Sequence, residues 1–120
     1  MASTLNYSIS GTFRAETGHL YSIQGTSAEL TLGSKMVFDR ITVTFAAPIT
    51  LSLGLVTTPT LGYFYNADDT NFLQVRDDAA VLAVIQAGRS SFINLEAGVT
   101  LKVQADTGDC LMDYALWEEA

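Results

Sequence analysis

Apolar and polar residues alternate with period two along almost the whole chain, and that pattern admits very few folds. In a strand successive side chains point to opposite faces, so strict alternation describes a strip with one face in a core and the other in water. Leu5, Tyr7 and Ile9 alternate with Thr4, Asn6, Ser8 and Ser10, predicting a first strand. Gly11 and Gly18 bracket a second short element around Phe13, and residues 19–24 and 29–32 read as further short strands separated by Gly25-Thr26-Ser27. Ile41-Thr42-Val43-Thr44-Phe45 alternates β-branched residues until Pro48 breaks it, after which Ile49, Leu51, Leu53 and Leu55 alternate again.

The second half is punctuated more sharply. Leu61 to Tyr65 predicts a strand ending in Asn66-Ala67-Asp68-Asp69-Thr70-Asn71, residues that turn the chain by bonding their own backbone. Phe72 to Arg76 resumes as a strand, and Asp77-Asp78 marks the next turn. Ala79 to Gln86 would accept a helix by composition, but a stretch so short between Asp-Asp and Gly88 suits a strand hairpin better. Phe92 to Leu95, Val99 to Ala105 and Cys110 to Trp117 complete the series, with turns at Glu96-Ala97-Gly98 and Thr107-Gly108-Asp109. About nine to eleven short strands, roughly eight to twelve residues apart, are the signature of a single all-β domain, an antiparallel β-sandwich or small barrel. No linker or internal repeat divides residues 1–120.

Composition then limits function. Charged residues are 16% of the chain against about 25% in a typical soluble domain, and the net charge is −7. Nucleic acid is not an expected partner, because phosphate binding needs clustered Lys and Arg. No apolar run approaches the ~18 residues of a membrane span, and the first residues carry neither a basic segment nor a long apolar one, so neither a membrane nor a signal peptide is expected. Cys110 is the single cysteine, so no intramolecular disulfide forms. Asp106, Asp109 and Asp113 around it oppose a thiolate, and it reads as a small strand hydrophobe.

Catalysis finds few players. Any Ser-His-Asp arrangement must use His19, the sole histidine, and no serine sits in a Gly-x-Ser-x-Gly elbow. One His and one Cys fall short of a zinc set. The oxygen-rich run from Asn66 to Asn71 lacks the spacing of a calcium loop and reads as turn chemistry. Glu16, Glu29 and Glu96 show no spacing that sets two carboxylates across a cleft. No catalytic residue, cofactor or metal site is assigned, and the chain is not expected to be an enzyme.

The aromatics point elsewhere. In a strand Phe64 faces one way while Tyr63 and Tyr65 face the other; Tyr114 shares a face with Leu116, and Trp117 opposes them. Such rings either fill a core or form an interface, where Tyr and Trp are enriched. Tyr63, Tyr65, Tyr114 and Trp117 are the candidate binding residues.

From about Gly62 the chain resembles small virion structural proteins of tailed bacteriophages. Tyr63-Phe64-Tyr65 leading into Asn66-Ala67-Asp68-Asp69-Thr70-Asn71 and then Phe72-Leu73-Gln74-Val75 follows their pattern of an aromatic strand, an Asn-x-Asp-x-Thr-Asn turn and an apolar strand. Phe92-Ile93-Asn94-Leu95-Glu96-Ala97-Gly98-Val99-Thr100-Leu101 and Val103-Gln104-Ala105-Asp106-Thr107 match a second block; residues 1–60 match in general character only. The resemblance implies a jelly-roll-like sandwich that works by assembly in the virion, put together in the host cytoplasm. The role expected first is capsid decoration (cement): an oligomer, commonly a trimer, that binds the major capsid protein of the assembled head. The alternative is a small neck, tail or fibre component that binds host-surface glycans through an aromatic such as Trp117 or Tyr63. Residues 1–10 are expected as an N-terminal arm or edge strand.

Overall fold

Where Pro, Gly and Asx residues interrupt the alternation, the chain turns, and strands occupy the intervals between them. The computed structural model describes the backbone of residues 3–14 and 20–119 and the side chains of residues 35–118. Among these residues there are nine strands and no helix: β1 (Ser3–Arg14), β2 (Leu20–Val43), β3 (Ile49–Thr50), β4 (Leu61–Asn66), β5 (Leu73–Asp77), β6 (Ala80–Ile85), β7 (Ser90–Asn94), β8 (Leu101–Ala105) and β9 (Cys110–Glu119).

The antiparallel pairings nest one inside another: β2 with β9, β3 with β8, β4 with β7, and β5 with β6. A long ribbon folded back on itself has this nesting, and winding it up adds the contacts β4–β9 and β5–β8. Two sheets result. Sheet A runs β1-β2-β9-β4-β7 and sheet B runs β3-β8-β5-β6. Leaving β1 aside, this is the eight-stranded jelly roll, so the chain forms the expected antiparallel β-sandwich.

The core lies between the sheets. Val43, Phe64, Met112, Tyr114 and Leu116 from sheet A meet Leu73, Val75, Leu101 and Val103 from sheet B, all buried in one cluster. Each large side chain so buried contributes about 1.5–3 kcal/mol of transfer free energy. Gly62 belongs to this packing: a Cβ there would stand 2.7 Å from the Phe64 ring, which folds over the glycine.

Three sequence expectations need correction. Phe13 does not begin a separate element; β1 continues to Arg14 through a register shift between Ile9 and Gly11, where an unpaired residue keeps the ladder going. The short strands expected around residues 19–24, 29–32 and 41–45 are one 24-residue strand, β2, because pairing with β1 resumes beyond the register shift at Gly25 and pairing with β9 resumes beyond the one at residues 33–35. The strand expected from Ile49 to Leu55 ends at Thr50. Gly54 takes a positive φ of 57°, the Val56 N–H donates to the Leu53 carbonyl at 3.0 Å, and Leu55 stands 80% exposed at the resulting turn.

Candidate functional site

Register decides what sheet A shows to the outside. On β2, Val37, Ile41 and Val43 pack against the core, so Met36, Phe38 and Arg40 face outward. Pairing aligns these into rows across the sheet. One row runs Met36, Trp117, Leu61, Asn94; the next Phe38, Ala115, Tyr63, Phe92; the third Arg40, Asp113, Tyr65, Ser90. The first two rows are almost wholly apolar, on a face that in a simple sandwich would be polar.

These rows make a second apolar layer, separate from the core. Leu61 and Ala115 lie on the outer face yet are each only 2% exposed, and neither belongs to the inter-sheet cluster. Rings cover them. Tyr63 and Phe92 pair with centroids 5.0 Å apart, and Phe92 reaches across β4 to stack on Trp117 at 6.5 Å. Toward β2 the cover runs out: Met36 is 50% and Phe38 64% exposed. Large apolar side chains left so open, beside a continuous apolar strip, mark a surface that another molecule covers.

The third row closes the patch electrostatically. Arg40 donates from Nε and Nη2 to the two carboxylate oxygens of Asp113, at 2.5 and 2.9 Å. This bond holds the Asp113 carboxyl below its ordinary range and the Arg40 guanidinium above its own. The rows thus contain one cation and one anion, and these neutralise each other.

Sheet B is built the opposite way. Its outward positions on β5 and β8 are Gln74, Arg76, Lys102 and Gln104. Arg76 Nη1 donates to Gln104 Oε1 at 2.9 Å and Nη2 to the Ala79 carbonyl at 3.1 Å, while Lys102 pairs with Asp78 at 2.8 Å. The outer faces of β5 and β8 are thus polar, and the exposed apolar residues of sheet B, Val81, Leu82 and Val84, lie on its edge strand β6.

Of the four aromatics singled out in the sequence, Tyr63, Tyr65 and Trp117 lie on this outer face, partly buried. Tyr114 does not join them. It is wholly buried in the core, and its hydroxyl donates to the Ser52 carbonyl at 2.8 Å, so it is a core residue and offers no surface to a partner. Met36, Phe38 and Phe92 complete the patch and were not anticipated. The signal was present in Met36-Val37-Phe38, three consecutive apolar residues that must load both faces of a strand.

The other chemistry-bearing groups are occupied locally. In the loop after β4 the Asn66 amide, fully buried, donates to the Asn71 and Ile85 carbonyls at 2.9 and 3.0 Å and accepts from the Asp68 N–H at 3.0 Å. Asp68 accepts from the N–H groups of Thr70 and Asn71, which hold its carboxyl below the usual range. Asn66 Oδ1 and Asp68 Oδ2 thus accept from backbone amides, the turn chemistry read from the sequence. Cys110 is buried, and desolvation, reinforced by Asp68, Asp109 and Asp106, pushes its thiol up to about 11. His19 and Glu16 lie outside the described residues, and Glu29 is described only in its backbone. Among the described residues no three His, Cys, Asp or Glu side chains group as a metal site would require. Comparison with protein-family models, with curated proteins and with solved structures finds no match for this chain.

Proposed function

We propose that this chain is a bacteriophage virion structural protein, a decoration (cement) protein that binds the assembled head as an oligomer. The observation that carries the reading is the apolar outer face of sheet A, with Phe38 and Met36 half exposed or more in a chain of net charge −7. A free acidic protein stays soluble through its charged loops, while a neutral aromatic face gives a contact that excludes water without stranding a charge. A cement protein needs no cleft. It stabilises a shell by mass action, binding the assembled state and not its parts, and several contacts per oligomer multiply that effect.

The resemblance in the stretches from Tyr63 to Val75 and from Phe92 to Thr107 supports a virion role and names the major capsid protein as the partner. A neck, tail or fibre component that stacks host sugars on Trp117 or Tyr63 ranks second. Both rings are already engaged with Phe92, which leaves less open ring face for a sugar.

The test is binding to purified expanded heads that lack the protein. Co-sedimentation that saturates at hundreds of copies per head is the expected result. Absence of binding, or a handful of copies per virion by quantitative mass spectrometry, would move the chain to the neck or tail.

A further inference from the structure

The jelly roll accounts for eight strands, and the ninth is left without a role in it. Among the described residues strand β1 pairs with β2 alone, opposite residues 20–32, while β9 pairs with β2 at Leu32 and then from Met36 to Val43. Residues 3–14 and 20–32 thus form a two-stranded ribbon that runs on from the sandwich, and pairing along β2 is interrupted between Leu32 and Met36, at Gly33-Ser34-Lys35. A ribbon of two strands is marginally stable in water unless a third strand or another surface supports it. Its sequence asks for such support: β1 carries Leu5, Tyr7, Ile9 and Phe13 and no charged residue before Arg14, whereas exposed edges are ordinarily guarded by charge or proline.

The molecule thus presents two unfinished surfaces, an arm that lacks support and a face that lacks cover. They do not complete each other within one chain, since β1 extends sheet A sideways past β2 and so lies in the plane of the sheet whose face is open. Building on the assembly reading above, we propose that the β1–β2 arm of one copy lies on the outer face of sheet A of a second copy, over Met36, Phe38 and Trp117.

Charge and area both fit this occupant. Copies of net charge −7 repel, and Asp68, Asp69, Asp77, Asp78, Asp106 and Asp109 all sit in or beside the loops between strands. The arm strand β1 is uncharged as far as Phe13 and residues 20–32 of β2 add one charge, Glu29, while the face contains only the closed Arg40–Asp113 pair, so this contact brings few charges together. Twelve residues of ribbon at about 3.3 Å each, two strands wide, cover on the order of 400 Å². When two copies exchange arms reciprocally, each gives one arm and receives the other's, so the pair buries roughly 800 Å² per partner, the standard size for a stable interface. Reciprocal exchange satisfies both arms and both faces within a closed pair related by a twofold axis.

Complementation between two full-length variants tests the exchange. Tyr7→Asp damages the arm and spares the face; Phe38→Asp damages the face and spares the arm. Light scattering should find the wild type as a closed oligomer, each variant alone as a monomer, and a one-to-one mixture as pairs, with circular dichroism unchanged throughout. A monomeric wild type overturns the exchange. So does a mixture that stays monomeric while the wild type associates, or a variant that associates alone, since face-to-face contact would survive Tyr7→Asp and arm-to-arm contact would survive Phe38→Asp. A second measurement does not depend on damaging variants: Ser8→Cys copies mixed with Ser90→Cys copies and treated with a short bismaleimide should cross-link between chains, and the absence of mixed products would count against the exchange. Head binding by a protein that proves monomeric would sink the exchange and leave the decoration role standing; an arm-exchanged oligomer that ignores heads would do the reverse.

Discussion

The rings of Phe92 and Trp117 stack 25° from parallel across β4, the strand that separates them, and Leu61 on that strand is shielded from water. A sheet face meant only for solvent has no need of this arrangement. It makes part of the outer face structural and leaves the rest, toward Phe38, available to a partner, and the two parts should separate on mutation.

Trp117→Ala should therefore cost about 1–3 kcal/mol of stability, since it removes the stack and uncovers Leu61. Phe38→Asp should change stability by only about 0.5 kcal/mol, the range for surface substitutions, while abolishing association. Urea unfolding of both variants beside their light scattering checks the division. Equal stability losses would show that Phe38 is part of the same structural cover.

Asn66→Ala should destabilise by about 2–4 kcal/mol. The amide ties the loop after β4 to the end of β6 through the Asn71 and Ile85 carbonyls, and its loss takes a bond from each of them and from the Asp68 N–H, at about 1–3 kcal/mol for a buried group left unsatisfied and less for the part-buried ones. Thermal unfolding measures the loss. Added calcium should not restore it, because the residue acts through amide bonds.

Gly62→Ala, one methyl group, should cost about 1–3 kcal/mol by overpacking. The new Cβ would meet two atoms of the Phe64 ring at 2.7 and 2.9 Å, and that ring is fully buried and has nowhere to move. The double variant Gly62→Ala/Phe64→Leu should suffer less than the two single losses combined, a coupling that a double-mutant cycle detects.

The Cys110 thiol should resist iodoacetamide at pH 8 in the folded protein and react once urea is added. Its pKa is raised from 9.0 to about 11, so the folded state holds the proton more tightly than the unfolded chain. The sign follows from linkage: above pH 9 the unfolded chain releases a proton that the folded state keeps, and stability falls as pH rises from about 9 to about 11. Burial shifts Tyr114 in the same direction. Cys110→Ala should flatten part of this alkaline loss, read as the urea midpoint against pH.

Much of the architecture was legible before any coordinates. From Leu61 onward, alternation bounded by Asn, Asp and Gly located β4 to β9 to within about two residues, because turn residues act through their own backbone and need no distant partner. The earlier half resisted the same treatment. Gly25-Thr26-Ser27 reads as a break between strands, yet β2 runs on past it, because pairing with β1 resumes on both sides of the register shift there. The site was half legible for the same reason: Tyr63, Tyr65 and Trp117 carried a visible signal, whereas Phe38 matters only because register aligns it with Ala115 and, beyond that, Tyr63.

By itself the sequence determined that this chain is all β, that its strands have two unlike faces, and that Tyr63 and Phe64, or Tyr114 and Trp117, must point opposite ways. Period two sets relative direction and nothing more. Which face is inside was decided by the packing of sheet A on sheet B, which drew Phe64 and Tyr114 into the core and left Tyr63 and Trp117 on the outer face. The nested pairing of strands far apart in the chain was likewise a tertiary decision, since each long-range pair is held by burial that no local segment contains.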